Sequence, residues 1–262
     1  MSETQPPQRP GAAMLAIGDE LLNGRTRDAN IHFLAGWLDR RGVALREVRI
    51  VPDEQDMIVA ALNELRRRYD AVFTSGGIGP THDDITADAI GAAFGVDVDV
   101  RDDTLSILKE WYDRKGETVT DARRRMARVP EGARLIENVV SGAPGFALEN
   151  VYVMAGVPKI FSAMLESLDG EIVRGPIYTA YTVAGACQES QIAEGLQALE
   201  TALKGLKIGS YPGKSGTSGR LAVVCKAFDA SLARQAAVAV EGLFRAQGVS
   251  PEMFEGFGPE QE

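Results

Sequence analysis

Over residues 12–170, short wholly apolar runs alternate with stretches whose apolar residues recur every three or four positions. The run AAMLAIG at 12–18 predicts a buried strand. Residues 28–42, DANIHFLAGWLDRRG, predict a helix with Asp28 as N-cap, Ile31, Leu34 and Leu38 on one face, and Gly42 as its stop. ALREVRIV at 44–51 is a second strand, and EQDMIVAALNELRRR at 54–68 a second helix with Ile58, Ala61, Leu62 and Leu65 inward. DAVFTSGG at 70–77 is a third strand that runs into glycine, followed by a third helix at 84–95 carrying Ile85, Ala89, Ile90 and Phe94 at helical spacing. Two helical pieces lie between 102 and 128 and are closed by Pro130; a buried strand at 151–156 and a helix at about 159–168 follow. This alternation predicts an α/β fold of three layers, with a mostly parallel sheet between helices on both faces.

Beyond Gly175-Pro176 the order changes. IYTAYTVAG, ESQIAEGLQALETALKG, LKIGSYP, GRLAVVCKAFD and ASLARQAAVAVEGLFRAQG read as strand, helix, strand, strand and helix. A βαββα set of this size reads as an α+β module with its own sheet. The expected organisation is therefore a disordered tail at 1–11, a main domain at 12–174, a small module at 177–248 and a loose tail at 249–262.

Composition narrows the function. A chain of 262 residues with 45% hydrophobic and 25% charged residues is that of an ordinary globular protein. A net charge of −9 argues against a nucleic-acid or anionic-membrane surface, so an anionic ligand needs local help from backbone N–H groups, a cation or a metal. Cys187 and Cys225 sit in apolar surroundings and read as small buried hydrophobes. No stretch reads as a signal peptide, and no apolar run approaches the roughly 20 residues of a membrane helix. A cytoplasmic protein is expected.

The stretch TSGGIGPTHDDIT, residues 74–86, carries the chemistry. In α/β sheets ligands bind beyond the carboxyl ends of strands, where loops lead into helices. Gly76, Gly77 and Gly79 let the backbone approach a phosphate, and the following helix offers N–H groups and a partial positive charge. A carboxylate at a helix start is ordinarily a cap, and Asp83 or Asp84 can be one. Two adjacent carboxylates beside an anion-suited turn point further, to a divalent cation lying between them and a phosphate. Thr81 and His82 complete the loop. Asp19 and Glu20 end the first strand and Asp53 the second, so three acidic tips are expected near one crevice. Gly213-Lys214-Ser215 ends like a Walker A loop but runs into a strand and reads as a hairpin loop. The RRR runs at 66–68 and 123–125 read as solvated helix faces, and Trp37 and Trp111 as packing residues.

Taken together, GDELL, DANIHFLAGWL, VPDE, TSGGIGPTHDDIT, SGAPGFALEN and VMAGVPKIFSAML resemble, in order and spacing, the molybdopterin-binding domain family over about residues 12–170. The resemblance is to the N-terminal part of the competence/damage-inducible CinA proteins and to the N-terminal domain of eukaryotic FAD synthases. It implies a molybdopterin-biosynthesis-type α/β fold. It also implies a divalent-metal-dependent pyrophosphatase acting on ADP-ribose or FAD, with molybdopterin binding or adenylylation as the activity of other family branches. By motif, Asp84 matches the catalytic aspartate and Asp53 the second acidic position. Gly76, Gly77 and Gly79, with Thr81 and His82, form the phosphate side, and Gly156 and Pro158 the turn that closes the pocket. Asp84, Asp53 and Asp83 would hold the metal (Mg, Mn, Co or Ni), and Asp19, Glu20 and Asn30 are further candidates. Ala155 and Ile160 depart from the usual turn. THDD agrees with the CinA and FAD-synthase branch rather than the molybdopterin enzymes. A small nucleotide or pterin ligand, no nucleic acid, no membrane and a homo-oligomer, a dimer first, are the expected partners. A non-catalytic ligand sensor on the same fold is the third reading.

Overall fold

The computed structural model describes residues 8–213 and 220–257. They form two compact units, Arg9–Gly175 and a second that begins at Pro176. The larger unit runs β1 (Gly11–Ile17), α1 (Asp19–Leu22), α2 (Asn30–Asp39), β2 (Ala44–Val51), α3 (Gln55–Arg68), β3 (Ala71–Ser75) and α4 (Thr86–Phe94). It continues with β4 (Val98–Val100), α5 (Asp102–Asp113), α6 (Asp121–Arg124), a 3₁₀ turn (Arg125–Ala127), β5 (Arg128–Pro130), β6 (Arg134–Ile136), β7 (Gly145–Leu148), β8 (Val151–Met154) and α7 (Pro158–Ser167).

The six-stranded sheet has the order β2-β1-β3-β8-β7-β6. Its first four strands are parallel, and β7 and β6 join antiparallel. Strand alternation sorts the core onto two faces. Ala12 and Met14 of β1 and Phe73 of β3 pack with Leu34, Trp37, Phe161 and Leu165 from α2 and α7. Ala13, Leu15 and Ile17 pack on the other face with Ile58, Leu62, Leu65 and Ile90 from α3 and α4. Both faces being covered explains why β1 reads as an unbroken apolar run rather than an alternating one.

Several elements differ from the sequence reading. Residues 120–129 are not a second long helix: one turn of α6 and the 3₁₀ turn lead into β5, where Pro130 pairs with Val98. β4, β5, β6 and β7 are three or four residues each, too short for a periodic signal. Asp28 acts one position outside the expected cap, accepting the Ile31 N–H at 2.7 Å before a helix that starts at Asn30. The arginine runs are only partly solvated: Arg66 donates to the Ala93 carbonyl at 3.0 Å and lies 4.1 Å over the Phe94 ring, tying α3 to α4. The expected tail at 1–11 is ordered from Arg9, which donates to the Val43 carbonyl at 2.6 Å, and Gly11 already belongs to β1; residues 1–7 lie outside the described residues.

The second unit is β9 (Thr179–Ala186), α8 (Glu189–Ala202), β10 (Lys207–Pro212), β11 (Arg220–Ala227), α9 (Ala230–Ala246) and β12 (Glu252–Glu255). Its antiparallel sheet has the order β10-β11-β9-β12, a split-βαβ, ferredoxin-like arrangement. The expected loose tail at 249–262 thus contributes a strand: β12 pairs with β9, and Met253 packs on the small core. Residues 258–262, and Lys214 and Ser215 of the Walker-like stretch, lie outside the described residues. Asp229 caps α9 by accepting the Ser231 N–H at 2.8 Å. Cys187 and Cys225 are buried and unpaired, and burial pushes the Cys225 thiol up to about 12, as befits a packing residue. Among the described residues no helix is long and apolar enough to cross a membrane.

Separate cores predict separable unfolding. Phe244 is fully buried in the core formed with Val183, Val223 and Val240. Phe244→Ala should cost the small unit about 3–5 kcal/mol. Both tryptophans lie in the larger unit. In denaturant the variant's circular dichroism should therefore lose an early fraction of signal while tryptophan fluorescence keeps the wild-type midpoint; a common shift of both probes refutes independent cores.

Candidate functional site

Because β1, β2, β3 and β8 are parallel, the segments that follow them leave the same end of the sheet. These segments carry Asp19 and Glu20, Asp53, the loop 76–85, and Gly156. The loop begins with two backbone-specific glycines. Gly76 and Gly77 have φ of 107° and 68°, a region L side chains rarely adopt. A Cβ at Gly76 would fall onto the Ile17 carbonyl oxygen, and one at Gly77 onto the Thr86 hydroxyl. Only glycine therefore lets the chain leave β3 pressed against the end of β1. Thr86, fully buried, closes the loop at its far side: its N–H donates to the Gly77 carbonyl and its hydroxyl to the Gly76 carbonyl, each at 3.0 Å.

Asp84 is not the N-cap of α4. The N-cap position of α4 is Ile85, with no side-chain cap. The Asp84 carboxylate turns back into its own loop instead. One oxygen accepts the Gly79 N–H at 2.6 Å; the other accepts the Thr81 N–H at 2.7 Å and the Thr81 hydroxyl at 2.5 Å. Both oxygens accept hydrogen bonds, and the Gly79 N–H is withdrawn from any phosphate. Among the described residues no acceptor is found for the N–H groups of Gly77, Ile78, His82 and Ile85; of these, Gly77 and Ile78 line the cleft beside the loop.

The acidic side lies at β1 and β2. Asp53 is half-buried and accepts the Asp19 N–H at 3.0 Å. Burial pushes its carboxyl above the ordinary value, helped by the like charges of Glu20, Asp19 and Asp83, while the Asp19 N–H opposes the shift. Asp83 and His82 are exposed. The Asp83 carboxyl is lowered first by the Thr81 hydroxyl and then by its own N–H. Thr81 has one proton, however, and at 2.5 Å Asp84 takes the larger share of it.

Asn30, at the first turn of α2, is buried and bridges two of the loops: its amide donates to the Ser75 hydroxyl at 2.7 Å and to the Gly156 carbonyl at 2.8 Å. Gly156 in turn lies so close that a Cβ there would come within 3.3 Å of the Gly76 Cα. Pro158 occupies the first turn of α7, where its missing N–H costs nothing. Asn30, Gly156 and Pro158 thus hold the backbone around the loop.

The cleft beside the loop brings in Arg125, which the sequence reading assigned to a solvated helix face. A shallow space open to solvent is lined by Gly77, Ile78, Gly79 and Asp84 on one side, and by Arg125, Arg128 and Phe146 on the other. Arg128 is held by a two-pronged pair to Asp88 of α4. The alternation of buried Ala127, half-buried Arg128 and buried Val129 is the one local signal that could have placed Arg128 on a strand rather than a helix face.

Comparison with known proteins agrees with this geometry. Residues 13–173 match the family described as a probable molybdopterin binding domain. A protein of Pyrobaculum aerophilum is 39% identical over 160 residues, covering 60% of each chain. A CinA-like protein of Citrifermentans bemidjiense is 39% identical over 158 residues, 59% of this chain and 38% of its own length. The crystal structure of CinA from Thermoplasma acidophilum, a protein described as of unknown function, superposes with a TM-score of 0.58 at 33% identity, covering 63% of this chain and 99% of that one. The match thus spans about three fifths of the Pyrobaculum relative's length. With more than half of its residues matched, this chain belongs to the molybdopterin-binding domain family and is CinA-like.

Proposed function

We propose that this chain binds a nucleotide diphosphate such as ADP-ribose or FAD at the carboxyl end of its parallel sheet and hydrolyses the pyrophosphate bond with the help of a divalent cation. The observation that carries this reading is the convergence, at one end of the parallel sheet, of the glycine loop with Asp53, which is half-buried and accepts the Asp19 N–H. Carboxylates and phosphates repel one another unless a cation lies between them.

Among the described residues no three His, Cys, Asp or Glu side chains group closely enough to hold a metal unaided. Mg²⁺ and similar hard ions need only one or two carboxylates when substrate phosphates and water supply the other ligands. Asp53, Asp83 and Asp84 fit that role by donor type; the Asp84 carboxylate also accepts three loop hydrogen bonds and keeps lone-pair capacity on the oxygen that accepts only the Gly79 N–H. When bound, the cation supplies charge that draws phosphate and carboxylate together and favours attack by water. The chain's own part is positional. The Gly77 and Ile78 N–H groups receive a phosphate oxygen, and Asp84 keeps the loop in the shape that aims them. Net reaction adds water across one P–O–P link, so ADP-ribose gives AMP and ribose 5-phosphate.

A second reading has its own support. Ile78, Met126, Pro144 and Phe146 are the larger apolar residues of the cleft lining, and molybdopterin joins a flat ring to a phosphate. Binding of a pterin without turnover of any nucleotide would favour it.

The direct test incubates purified protein with ADP-ribose and Mg²⁺, Mn²⁺, Co²⁺ or Ni²⁺ and measures AMP by chromatography. AMP formation is expected with at least one of these ions; no AMP with any of them removes the hydrolase reading. The clamp generates another prediction. Asn at position 84 has one acceptor oxygen for three donors, leaving a loop N–H unpaired at a cost of about 1–3 kcal/mol. Asp84→Asn should lower the melting temperature by roughly 2–10 °C, whereas Asp83→Asn, at an exposed carboxylate, should leave it unchanged. Equal melting of the two variants would mean that the clamp does not hold the loop.

The raised Asp53 carboxyl predicts a pH signature. Its folded-state value lies above the unfolded one, so the folded form binds more protons in the window between them, and stability falls as pH rises through it. Asp53→Asn should therefore raise the cation-free melting temperature at neutral pH, with the gain disappearing below about pH 4. A variant that melts lower than wild type at pH 7 would show that the Asp19 N–H contact outweighs the burial and crowding.

A further inference from the structure

Within the segment 123–128 the arginines are not alike. Arg123 pairs with Glu117, and Arg128 with Asp88. Arg125 is half-buried and lines the cleft beside the glycine loop, and its side chain makes no hydrogen bond, ion pair or ring contact among the described residues. Its Nε is fully buried without a partner. Asp84 is the one carboxylate lining that cleft, and its oxygens accept from Gly79 and Thr81. The side chain is not there by default. The 3₁₀ turn is pinned by the burial of Ala127 and Met126 against Leu105, Leu108 and Tyr112, which fixes where Arg125 points.

A guanidinium partly removed from water and left unpaired is unfavourable, because it gives up hydration and gains nothing in return. Its planar fork matches the oxygens of a phosphate. Across the same cleft stand the Gly77 and Ile78 N–H groups, also without acceptors.

We propose that Arg125 is the phosphate-binding residue of this cleft, and that with the Gly77 and Ile78 N–H groups it captures the phosphate of a nucleotide ligand without a divalent cation. This rests on the proposed function only in taking the ligand to be phosphorylated. Charge within an acidic chain is thereby supplied at one point: Arg125 holds the phosphate, while the Asp53 group stands to the side where a cation would enter. Binding and turnover then depend on different residues and can be separated.

The test is calorimetry in EDTA with AMP, ADP-ribose, inorganic pyrophosphate and adenosine, on wild type, Arg125→Gln and Arg125→Lys. Wild type should bind AMP and ADP-ribose; pyrophosphate binding as tight as AMP would show that the phosphate alone is recognised. Arg125→Gln should weaken both nucleotides roughly tenfold or more, and Arg125→Lys should recover part of the loss. Adenosine should bind wild type and Arg125→Gln alike. Without ligand Arg125→Gln should melt at or above the wild-type temperature, because it removes an unpaired charge; a structural role would lower it. Wild-type affinity of Arg125→Gln for AMP and ADP-ribose, or failure of wild type to bind any phosphorylated probe without a cation, overturns the proposal. Nucleotide binding in EDTA without AMP formation under any metal would instead overturn the hydrolase reading and leave Arg125 in place.

Discussion

The carboxylate of Asp84 folded back onto the Gly79 and Thr81 N–H groups is the interaction on which the rest of the site depends. Residues 76–85 connect a buried strand to a buried helix, and glycine-rich backbone has more conformational freedom to lose than any other. One side chain accepting three hydrogen bonds selects a single shape from that freedom. Thr86 closes the loop from below and Asn30 ties the neighbouring Gly156 turn to β3, so the loop is held from three directions. The aspartate that most resembles a metal ligand in the motif thus also orders its own loop as a hydrogen-bond acceptor, and Gly77 and Ile78 of that loop line the cleft.

Charge is the second constraint. A chain with net charge −9 cannot attract an anion through its overall field, so any anion site must be local. Here the local charges are segregated. Asp19, Glu20 and Asp53 lie at the ends of β1 and β2, where burial first and the neighbouring acidic charges second raise the Asp53 carboxyl, whereas Arg125 and Arg128 line the cleft beside the glycine loop. Arg128 is neutralised by Asp88 and serves the packing of β5 on α4; Arg125 is not neutralised. Two arginines three residues apart therefore have different roles, decided by which one has a carboxylate within reach.

Much of the architecture was legible along the chain. β1, β2, α3 and α4 lie within a residue or two of their expected bounds because burial on a covered sheet face leaves continuous apolar runs, and helices packed on that face show apolar residues every three or four positions. The positions of the acidic tips followed from strand ends alone. The β4–β5 ribbon, β6 and β7 were not legible, since three residues carry no period. β12 read as tail because its four residues, Glu-Met-Phe-Glu, do not alternate polar and apolar, and only the waiting edge of β9 makes it a strand.

The sequence by itself determined the layer order, the glycine–aspartate loop and its place at a strand end, because these depend on local backbone chemistry and on the periodicity of burial. Tertiary structure alone decided what each charged side chain does. Asp84 accepts from its own loop, Asp88 neutralises Arg128, and Arg125 is left facing the cleft because Ala127 and Met126 bury the turn beneath it. Periodicity records which residues leave water, but not which partner a buried charge meets, since that partner comes from a distant part of the chain brought close only by folding.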